Sequence, residues 1–97
     1  MKKFHVRISS SAGDVIKKLH PEIKKLIREA IESLRTAPLS GDELQGELGG
    51  YRALKPKRYR IIYKADMEKF LIEIYFLRPR RDVYENFRKL LEQIRRG

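Results

Sequence analysis

The sequence predicts an α+β fold in which an antiparallel sheet carries an N-terminal helical hairpin and a C-terminal helix. Two consecutive stretches near the N-terminus have apolar residues at helical spacing. Three later runs, rich in β-branched and aromatic residues, are joined by short turns that favour antiparallel pairing. Another helical stripe follows them, so the predicted order is β-α-α-β-β-β-α in a single domain spanning residues 1–97.

The first strand and the helical hairpin are predicted between residues 4 and 38. Apolar and polar residues alternate in the strand, and Ser9–Ser11 offer N-caps for the first helix. Pro21 suits the first turn of the second helix, and Pro38 ends it. The apolar positions are Phe4, Val6 and Ile8 in the strand, Ala12, Val15, Ile16 and Leu19 in the first helix, and Ile23, Leu26, Ile27, Ala30, Ile31 and Leu34 in the second.

Three strands and a final helix are predicted in the rest of the chain. The polar, glycine-rich stretch Ser40–Gly50 is typical of a connecting loop. Strands are expected at Tyr51–Leu54, Tyr59–Lys64 and Phe70–Leu77, and Asp82 is expected to cap the helix. The apolar stripe of that helix consists of Val83, Phe87, Leu90, Leu91 and Ile94.

Strict alternation assigns the side chains of the last two strands to the faces of the sheet. Both faces of the last strand are apolar, which predicts an inner position for it. In the strand before it, Arg60 and Ile62 share the face opposite to Tyr59, Ile61 and Tyr63. In the last strand one face carries Phe70, Ile72, Ile74 and Phe76, and the other carries Leu71, Glu73, Tyr75 and Leu77.

The composition indicates a polyanionic partner and excludes several kinds of catalytic chemistry. The chain of 97 residues has a formal net charge of +10, and residues 51–97 hold 14 Lys and Arg against 6 Asp and Glu, a net of +8. Such a basic half is typical of proteins that bind nucleic acid or an acidic protein. With no cysteine, only two histidines and no glycine-rich phosphate loop, we expect no metal and no cofactor. Without a signal peptide or a membrane-spanning run, the predicted location is the cytoplasm.

Basic side chains and a tyrosine are predicted to converge on one concave face of the sheet. Arg60 lies in the middle of a strand, where a charge needs a partner or a polar site. Arg78 ends the neighbouring strand, and Tyr84 opens the last helix. Arg52 and Lys55 belong to the strand before Arg60. Because arginine binds phosphate through a planar fork and tyrosine stacks on bases, this face suits RNA.

The same groups are suited to binding RNA or to cleaving it. Cleavage by the 2′-hydroxyl needs one proton removed, one supplied, and a doubly charged phosphorane stabilised, which arginine can do. A phenol is a weak base at neutral pH, but neighbouring guanidinium groups favour its ionised form. The alternative interpretation is that Tyr84 only packs its ring on the sheet and Arg78 pairs with an acid.

The strand around Arg60 and the arginine-rich junction before Tyr84 form a specific combination. The strand reads Tyr59-Arg60-Ile61-Ile62-Tyr63, and the junction reads Arg78, then Arg80-Arg81-Asp82-Val83-Tyr84. Further motifs are Ser11-Ala12, Lys18-Leu19, Leu34-Arg35-Thr36-Ala37-Pro38, Leu44-Gln45-Gly46-Glu47-Leu48 and Tyr51-Arg52. Together they cover nearly the whole chain, which resembles the RelE/ParE superfamily of toxins from type II toxin–antitoxin systems, in its RelE-like branch.

The resemblance implies a RelE-like fold and an mRNA interferase. Such a toxin is an endoribonuclease that cuts messenger RNA in the ribosomal A site without a metal, and so inhibits translation. By motif position, the resemblance assigns Arg60 and Arg78 to stabilisation of the phosphate. It assigns Tyr84 to a role as base, acid or stacking partner.

The strand before Arg60 departs from the family pattern, which has two alternating lysines. Arg52 matches one of these positions, and Leu54 stands at the other. The nearby cations of the turn are candidates to replace the missing one. The expected RNA-binding residues are Arg52, Lys55, Lys57, Arg58, Arg80 and Arg81.

Two other functions remain open at this point. The ParE branch of the superfamily inhibits DNA gyrase without cleaving RNA, and Arg78 together with Tyr84 favours the nuclease branch over it. The third possibility is a relic that only binds its antitoxin. The resemblance implies an acidic, amphipathic antitoxin as partner, with the toxin monomeric alone or part of a hetero-oligomer, and it implies no contact with a membrane.

Overall fold

A computed structural model describes residues 3–81 and 83–96 and confirms the α+β class and the order of the main elements. The strands are β1 His5–Ile8, β2 Asp42–Glu43, β3 Arg52–Leu54, β4 Tyr59–Asp66 and β5 Leu71–Pro79. The helices are α1 Ser10–Lys18, α2 Pro21–Ser33 and α3 Val83–Arg96. Asp82, the expected cap of α3, lies outside the described residues.

The five strands form one mixed sheet in the order β1-β5-β4-β3-β2. As predicted, β3 pairs with β4 and β4 with β5 in antiparallel fashion, and β5 lies inside the sheet. β1 pairs with β5 in parallel, so the sheet differs from the antiparallel expectation at this pair. Short turns predict the direction of consecutive strands only, and β1 is separated from β5 by the hairpin and three other strands.

The stretch predicted as a loop contains two short elements. Asp42 and Glu43 form β2, which pairs with Ala53 and Arg52 of β3. After it, a 3₁₀ turn at Gly46–Leu48 buries the side chain of Leu48 beneath α3. Both elements exist through their contacts with distant residues, which a local pattern does not contain.

The two helices of the hairpin begin where the sequence predicts. The Ser9 hydroxyl accepts a hydrogen bond from the N–H of Ala12 at 3.1 Å and donates one to the carbonyl of Tyr75 at 2.9 Å. The same hydroxyl therefore caps α1 and connects the start of this helix to β5. Pro21 occupies the first turn of α2, where its missing N–H costs no hydrogen bond.

The sheet is covered by helices on both faces, and each face has its own core. The hairpin core lies between α1, α2 and the sheet. It contains Phe4, Ala12, Ile16, Ile27, Ile31, Leu34, Ile61, Tyr63, Ile72, Ile74 and Leu77. The second core lies beneath α3 and contains Leu48, Ile62, Phe76, Val83 and Phe87.

A β-bulge in β5 corrects the predicted assignment of side chains to faces. Ile62 pairs with Phe76 but Tyr63 pairs with Ile74, so Tyr75 is an extra residue opposite β4. Beyond the bulge the alternation is inverted, because the inserted residue shifts every later side chain to the other face. Phe76 therefore lies in the second core and Leu77 in the hairpin core, the reverse of the prediction.

Candidate nucleic-acid interface

The bulge brings the two expected phosphate-binding arginines together. Arg60 and Arg78 are direct partners in the pairing of β4 with β5. They continue the alternation of Ile62 and Phe76, so both project from the face that carries α3. If Tyr75 were paired regularly instead of bulged, strict alternation would send Arg78 with Ile72 and Ile74 toward the hairpin core. The structure places both residues on the face on which they were expected, but the bulge that brings Arg78 there was not visible in the pattern.

Both guanidinium groups are held by backbone carbonyls. Arg60 donates from one nitrogen to the carbonyls of Lys57 at 3.0 Å and Tyr59 at 2.8 Å. Arg78 donates to the carbonyl of Leu77 at 3.0 Å, and its guanidinium carbon lies 4.7 Å from the centre of the Phe76 ring. Both side chains are half-buried.

No carboxylate among residues 3–81 and 83–96 forms an ion pair with Arg60 or Arg78. The alternative in which Arg78 pairs with an acid is therefore not seen in this part of the chain. Each guanidinium has five N–H donors, and the carbonyl contacts leave most of them unused. These donors are available to an anion that approaches the α3 face.

Tyr84 lies in the first turn of α3 and is half-buried against the second core. Its neighbours on the helix, Val83 and Phe87, are buried and fix the helix on the sheet. The ring therefore does pack on the sheet, as the alternative interpretation expects. This packing also fixes the phenol on the face that Arg60 occupies.

Lys55 belongs to the same face and is joined to Asp42. Its Nζ lies 2.8 Å from a carboxylate oxygen of Asp42, a diagonal neighbour across β2 and β3. This hydrogen bond and charge raise the pKa of Lys55, and the ammonium lowers the pKa of Asp42. A weaker effect of Tyr84 also raises the pKa of Lys55, and one of Arg60 lowers it, so both groups lie within electrostatic range.

Leu54, which occupies the position of a family lysine, packs against the hairpin core. Lys55, the residue after β3, reaches the face of Arg60 because it contacts Asp42, and the strand partner of Asp42, Ala53, pairs with Ile62 of the second core. Among Lys55, Lys57 and Arg58, the candidate replacements, Lys55 lies within electrostatic range of both Arg60 and Tyr84. Asp42, its partner, was not predicted, and no local pattern marks it.

Arg52 does not join this face. It pairs in register with Tyr63, whose side chain lies in the hairpin core. Its guanidinium donates to the carbonyls of Leu39 at 3.3 Å and Gly41 at 2.8 Å, and it lies 3.7 Å from Glu43. Arg52 thus stabilises the segment that leads into β2. It lies away from the face on which it was expected to meet Arg60 and Arg78.

The remaining expected RNA contacts lie at one end of the sheet and are exposed. The N–H of Arg80 donates to the carbonyl of Arg58 at 2.6 Å, which joins the chain after β5 to the turn before β4. Arg81 follows directly. Lys57 occupies the left-handed region with φ of 52° and lines a shallow depression beside α2, so its side chain lies toward the hairpin.

The described residues contain no group of three or more His, Asp or Glu side chains that could hold a metal ion. They also contain no helix that is long and apolar enough to cross a membrane. The α3 face combines an ammonium, a phenol and two guanidiniums that form no ion pair with a described residue. This set of groups can bind a phosphodiester and stabilise additional negative charge on it.

Comparison with known proteins identifies the family. The profile of the ParE toxin of type II toxin–antitoxin systems, parDE, matches residues 6–84. None of the curated proteins matches the chain.

Solved structures show the same fold. The toxin–antitoxin complex RelBE2 from Mycobacterium tuberculosis superposes with a TM-score of 0.73 at 29% identity, over 79% of this chain and 98% of the matched chain. The archaeal RelE–RelB complex from Pyrococcus horikoshii gives 0.68 at 21%, over 81% and 97%. The isolated RelE toxin of E. coli gives 0.67 at 17%, over 91% and 98%. With the family profile matched over most of its length and this fold around it, the chain belongs to the RelE/ParE superfamily and is a toxin of a type II toxin–antitoxin system.

Proposed function

We propose that this toxin is an endoribonuclease that cuts messenger RNA in the ribosomal A site and so inhibits translation. The observation that carries the proposal is the direct pairing of Arg60 with Arg78 on the α3 face, where Tyr84 is also fixed. Like charges that pair directly across two strands destabilise a sheet, and an anion bound on this face would offset the repulsion between Arg60 and Arg78. A phosphodiester that becomes a dianion during reaction is such an anion.

The proposed reaction is a transesterification within the RNA. The 2′-oxygen forms a bond to the adjacent phosphorus, and the bond from phosphorus to the 5′-oxygen breaks. The 2′-hydroxyl loses a proton, and the departing 5′-oxygen gains one. The products are a 2′,3′-cyclic phosphate and a 5′-hydroxyl, with atoms and charge balanced.

The side chains have distinct roles in this proposal. Arg60 and Arg78 stabilise the charge of the phosphorane. Asp42 favours the protonated form of Lys55, which therefore suits proton donation to the 5′-oxygen better than proton removal. Tyr84 contacts the nucleotide at the cut and is the candidate for the second proton transfer or for stacking on a base.

The proposed partners follow from charge and from the relatives. Arg58, Arg80 and Arg81 are exposed at one end of the sheet and would contact RNA or the ribosome. The solved relatives include complexes of RelE with its antitoxin RelB, and we expect an acidic, amphipathic antitoxin to neutralise this toxin in the same way. We place the protein in the cytoplasm, because translating ribosomes are found there. Residues 1–97 form one toxin domain in this proposal.

The test is expression without the antitoxin, followed by mapping of messenger RNA ends. We expect growth arrest and new 5′ ends within translated codons. Removing one charge-stabilising group should slow cleavage on purified ribosomes by about 10²–10³-fold, so Arg60→Ala and Arg78→Ala should lose toxicity. Tyr84→Ala should lose toxicity as well, because it removes the candidate for proton transfer or stacking. Arg28→Ala, an exposed change on α2, is the matched control. Full toxicity of the Arg78 and Tyr84 variants would refute the assignment.

Inhibition of DNA gyrase is the second candidate, and the family profile, which is that of ParE toxins, favours it. A gyrase inhibitor would block supercoiling by purified gyrase and cause DNA damage in cells, while messenger RNA stayed intact. Measuring RNA ends and gyrase supercoiling with the same protein preparation separates the two functions.

A further inference from the structure

A depression lies on the flank of α3 that faces away from Tyr84. It has a volume of about 340 Å³ and is bounded by β5, α3 and the start of α1. On a helix, positions 86 and 93 project roughly opposite to position 84 when the stripe of Val83 and Phe87 faces the sheet. The lining residues are Ser11, Phe76, Arg78, Asn86, Lys89, Leu90 and Gln93.

Arg78 connects this depression with the proposed phosphate site. Its Cα is paired with Arg60 in the sheet, yet its side chain lines the depression. The guanidinium lies over the ring of Phe76, which is itself almost fully buried. A planar guanidinium that is supported from below by an aromatic ring offers a flat upper surface on which a base can stack.

The rim of the depression is suited to the edge of a base. Asn86 and Gln93 lie two helical turns apart on one flank, and each carboxamide offers donors and an acceptor. Among the described residues neither carboxamide has a hydrogen-bond partner, so both are available to a ligand. Lys89 lies between them, 3.9 Å from Glu85. The two cations of the lining, Arg78 and Lys89, suit the phosphate of a nucleotide, whereas a carboxamide matches the adjacent donor and acceptor of a base such as adenine.

We propose that this depression binds one unpaired base of the substrate RNA, next to the nucleotide whose phosphate Arg78 contacts. The inference rests on the proposed nuclease function, because that function brings single-stranded RNA to Arg78. It adds a site of sequence preference that is separate from the reacting groups. Asn86 and Gln93 would then determine the codon preference, and Arg60 and Tyr84 would determine the rate of cleavage.

The first experiment measures cleavage on ribosomes programmed with messages that differ in one nucleotide near the cut. We expect the wild type to prefer one base at one position by roughly 5- to 160-fold, the range of a bidentate amide–base contact. In the double variant Asn86→Ala/Gln93→Ala, the ratio of cleavage rates between the favoured and the least favoured message should fall toward one. Its cleavage rate on the least favoured message should equal that of the wild type. Gln45→Ala, a carboxamide truncation in an exposed loop, should leave the preference unchanged. Preference retained by the double variant overturns the inference.

The second experiment does not depend on cleavage. Fluorescence anisotropy measures the affinity of the full chain for short single-stranded homopolymers of A, C and U. We expect the wild type to favour one homopolymer and the double variant to bind all three alike, with its helix content confirmed by circular dichroism. Equal affinities for the wild type would overturn the base site even if the toxin cuts RNA. A wild type that cuts nothing but retains a preference abolished in the double variant would refute the nuclease and leave the base site standing.

Discussion

Arg60 and Arg78 show how one pair of residues opposes stability and serves function. Like charges directly opposite each other in a sheet destabilise it, and here they are also half-buried. Backbone carbonyls and the ring of Phe76 offset part of this cost by accepting hydrogen bonds and attracting the cation. An anion bound on this face would relieve the remaining repulsion, which is what the proposed phosphate site requires.

The pair of Asp42 and Lys55 makes a prediction about charge. Asp42→Asn should move the pKa of Lys55 down toward its ordinary value, because the carboxylate is the main cause of its rise. NMR titration of the lysine side chains would show the shift. Glu43→Gln is the control, since Glu43 pairs with Arg52 and lies beside Asp42 in the same strand. An unchanged pKa of Lys55 in the Asp42 variant would contradict the assignment.

The same two pKa shifts define a pH range. The pKa of Asp42 is lowered by folding, so the stability it contributes is present above the ordinary carboxyl range and is lost as the pH falls through the lowered value. The pKa of Lys55 is raised, so its contribution is present below the ordinary lysine range and is lost as the pH rises through the raised value. The pair is therefore intact at neutral pH.

Tyr63 is predicted to stabilise the chain between α2 and β2. Its buried hydroxyl accepts a hydrogen bond from the N–H of Gly41 at 2.9 Å and donates one to the carbonyl of Pro38 at 2.8 Å. Tyr63→Phe leaves both backbone groups without this partner, and we expect a loss of about 1–3 kcal/mol in the free energy of unfolding. Urea denaturation measures it. Tyr59→Phe should change little, because no described residue hydrogen-bonds with that phenol.

Gly41 in this segment is required by the close approach of Tyr63. A Cβ at position 41 would lie 2.8 Å from the phenol oxygen and 2.9 Å from the carbonyl oxygen of Ala53. Both distances are shorter than real contacts, and the backbone carbonyl cannot move aside. This segment also receives the guanidinium of Arg52, so it is held from two sides.

Among the elements, α3 depends on its aromatic contacts with the sheet. Phe87 is almost fully buried, with its ring centre 4.9 Å from that of Tyr51 and 5.6 Å from that of Phe76. Phe87→Ala should cost about 3–5 kcal/mol and release the helix that carries Tyr84. Hydrogen exchange should show faster exchange throughout α3. Ile94→Ala, at a position that is 65% exposed, should leave exchange and stability unchanged.

The elements also show where sequence reasoning succeeds and where it fails. The hairpin and α3 are predicted well because their apolar stripes and their breaks at Pro21 and Pro38 are local features. β2 is missed because Asp42 and Glu43 become a strand only by pairing with β3. The bulge is missed because alternation assumes a period of two, and nothing in the residue types around Tyr75 marks an insertion.

In the candidate site, too, some placements follow from local patterns and others depend on the pairing between strands. Arg60 and Tyr84 lie on the expected face because one sits in a regular strand and the other opens a helix. Arg78 reaches that face for a reason the sequence did not reveal, and Arg52 lies on the other face because it pairs with Tyr63. The residue types indicated which side chains belong to a candidate site, whereas the register that decides their face became known only from the structure.

At the scale of the whole molecule, the net charge of +10 predicts that the affinity for single-stranded RNA depends strongly on the salt concentration. Each phosphate contact contributes about 0.7 to the slope of log affinity against log salt for single strands, so Arg80→Ala/Arg81→Ala should lower the slope by about 1.4. Lys18→Ala/Lys25→Ala removes the same charge from the hairpin, where both residues are exposed. An equal change in slope for both variants would show that total charge, and not the end of the sheet, determines binding.

The extra residue in β5 has a genetic consequence. Deleting the codon of Tyr75 would give a regular strand in which Arg78 still lies opposite Arg60, because Ile74 and Phe76 already pair with the consecutive residues Tyr63 and Ile62. Deleting the codon of Leu77 instead would move Arg78 to the position that now faces the hairpin core. Among in-frame deletions that survive expression of the toxin, loss of Leu77 should therefore recur more often than loss of Tyr75, although every remaining amino acid is unchanged.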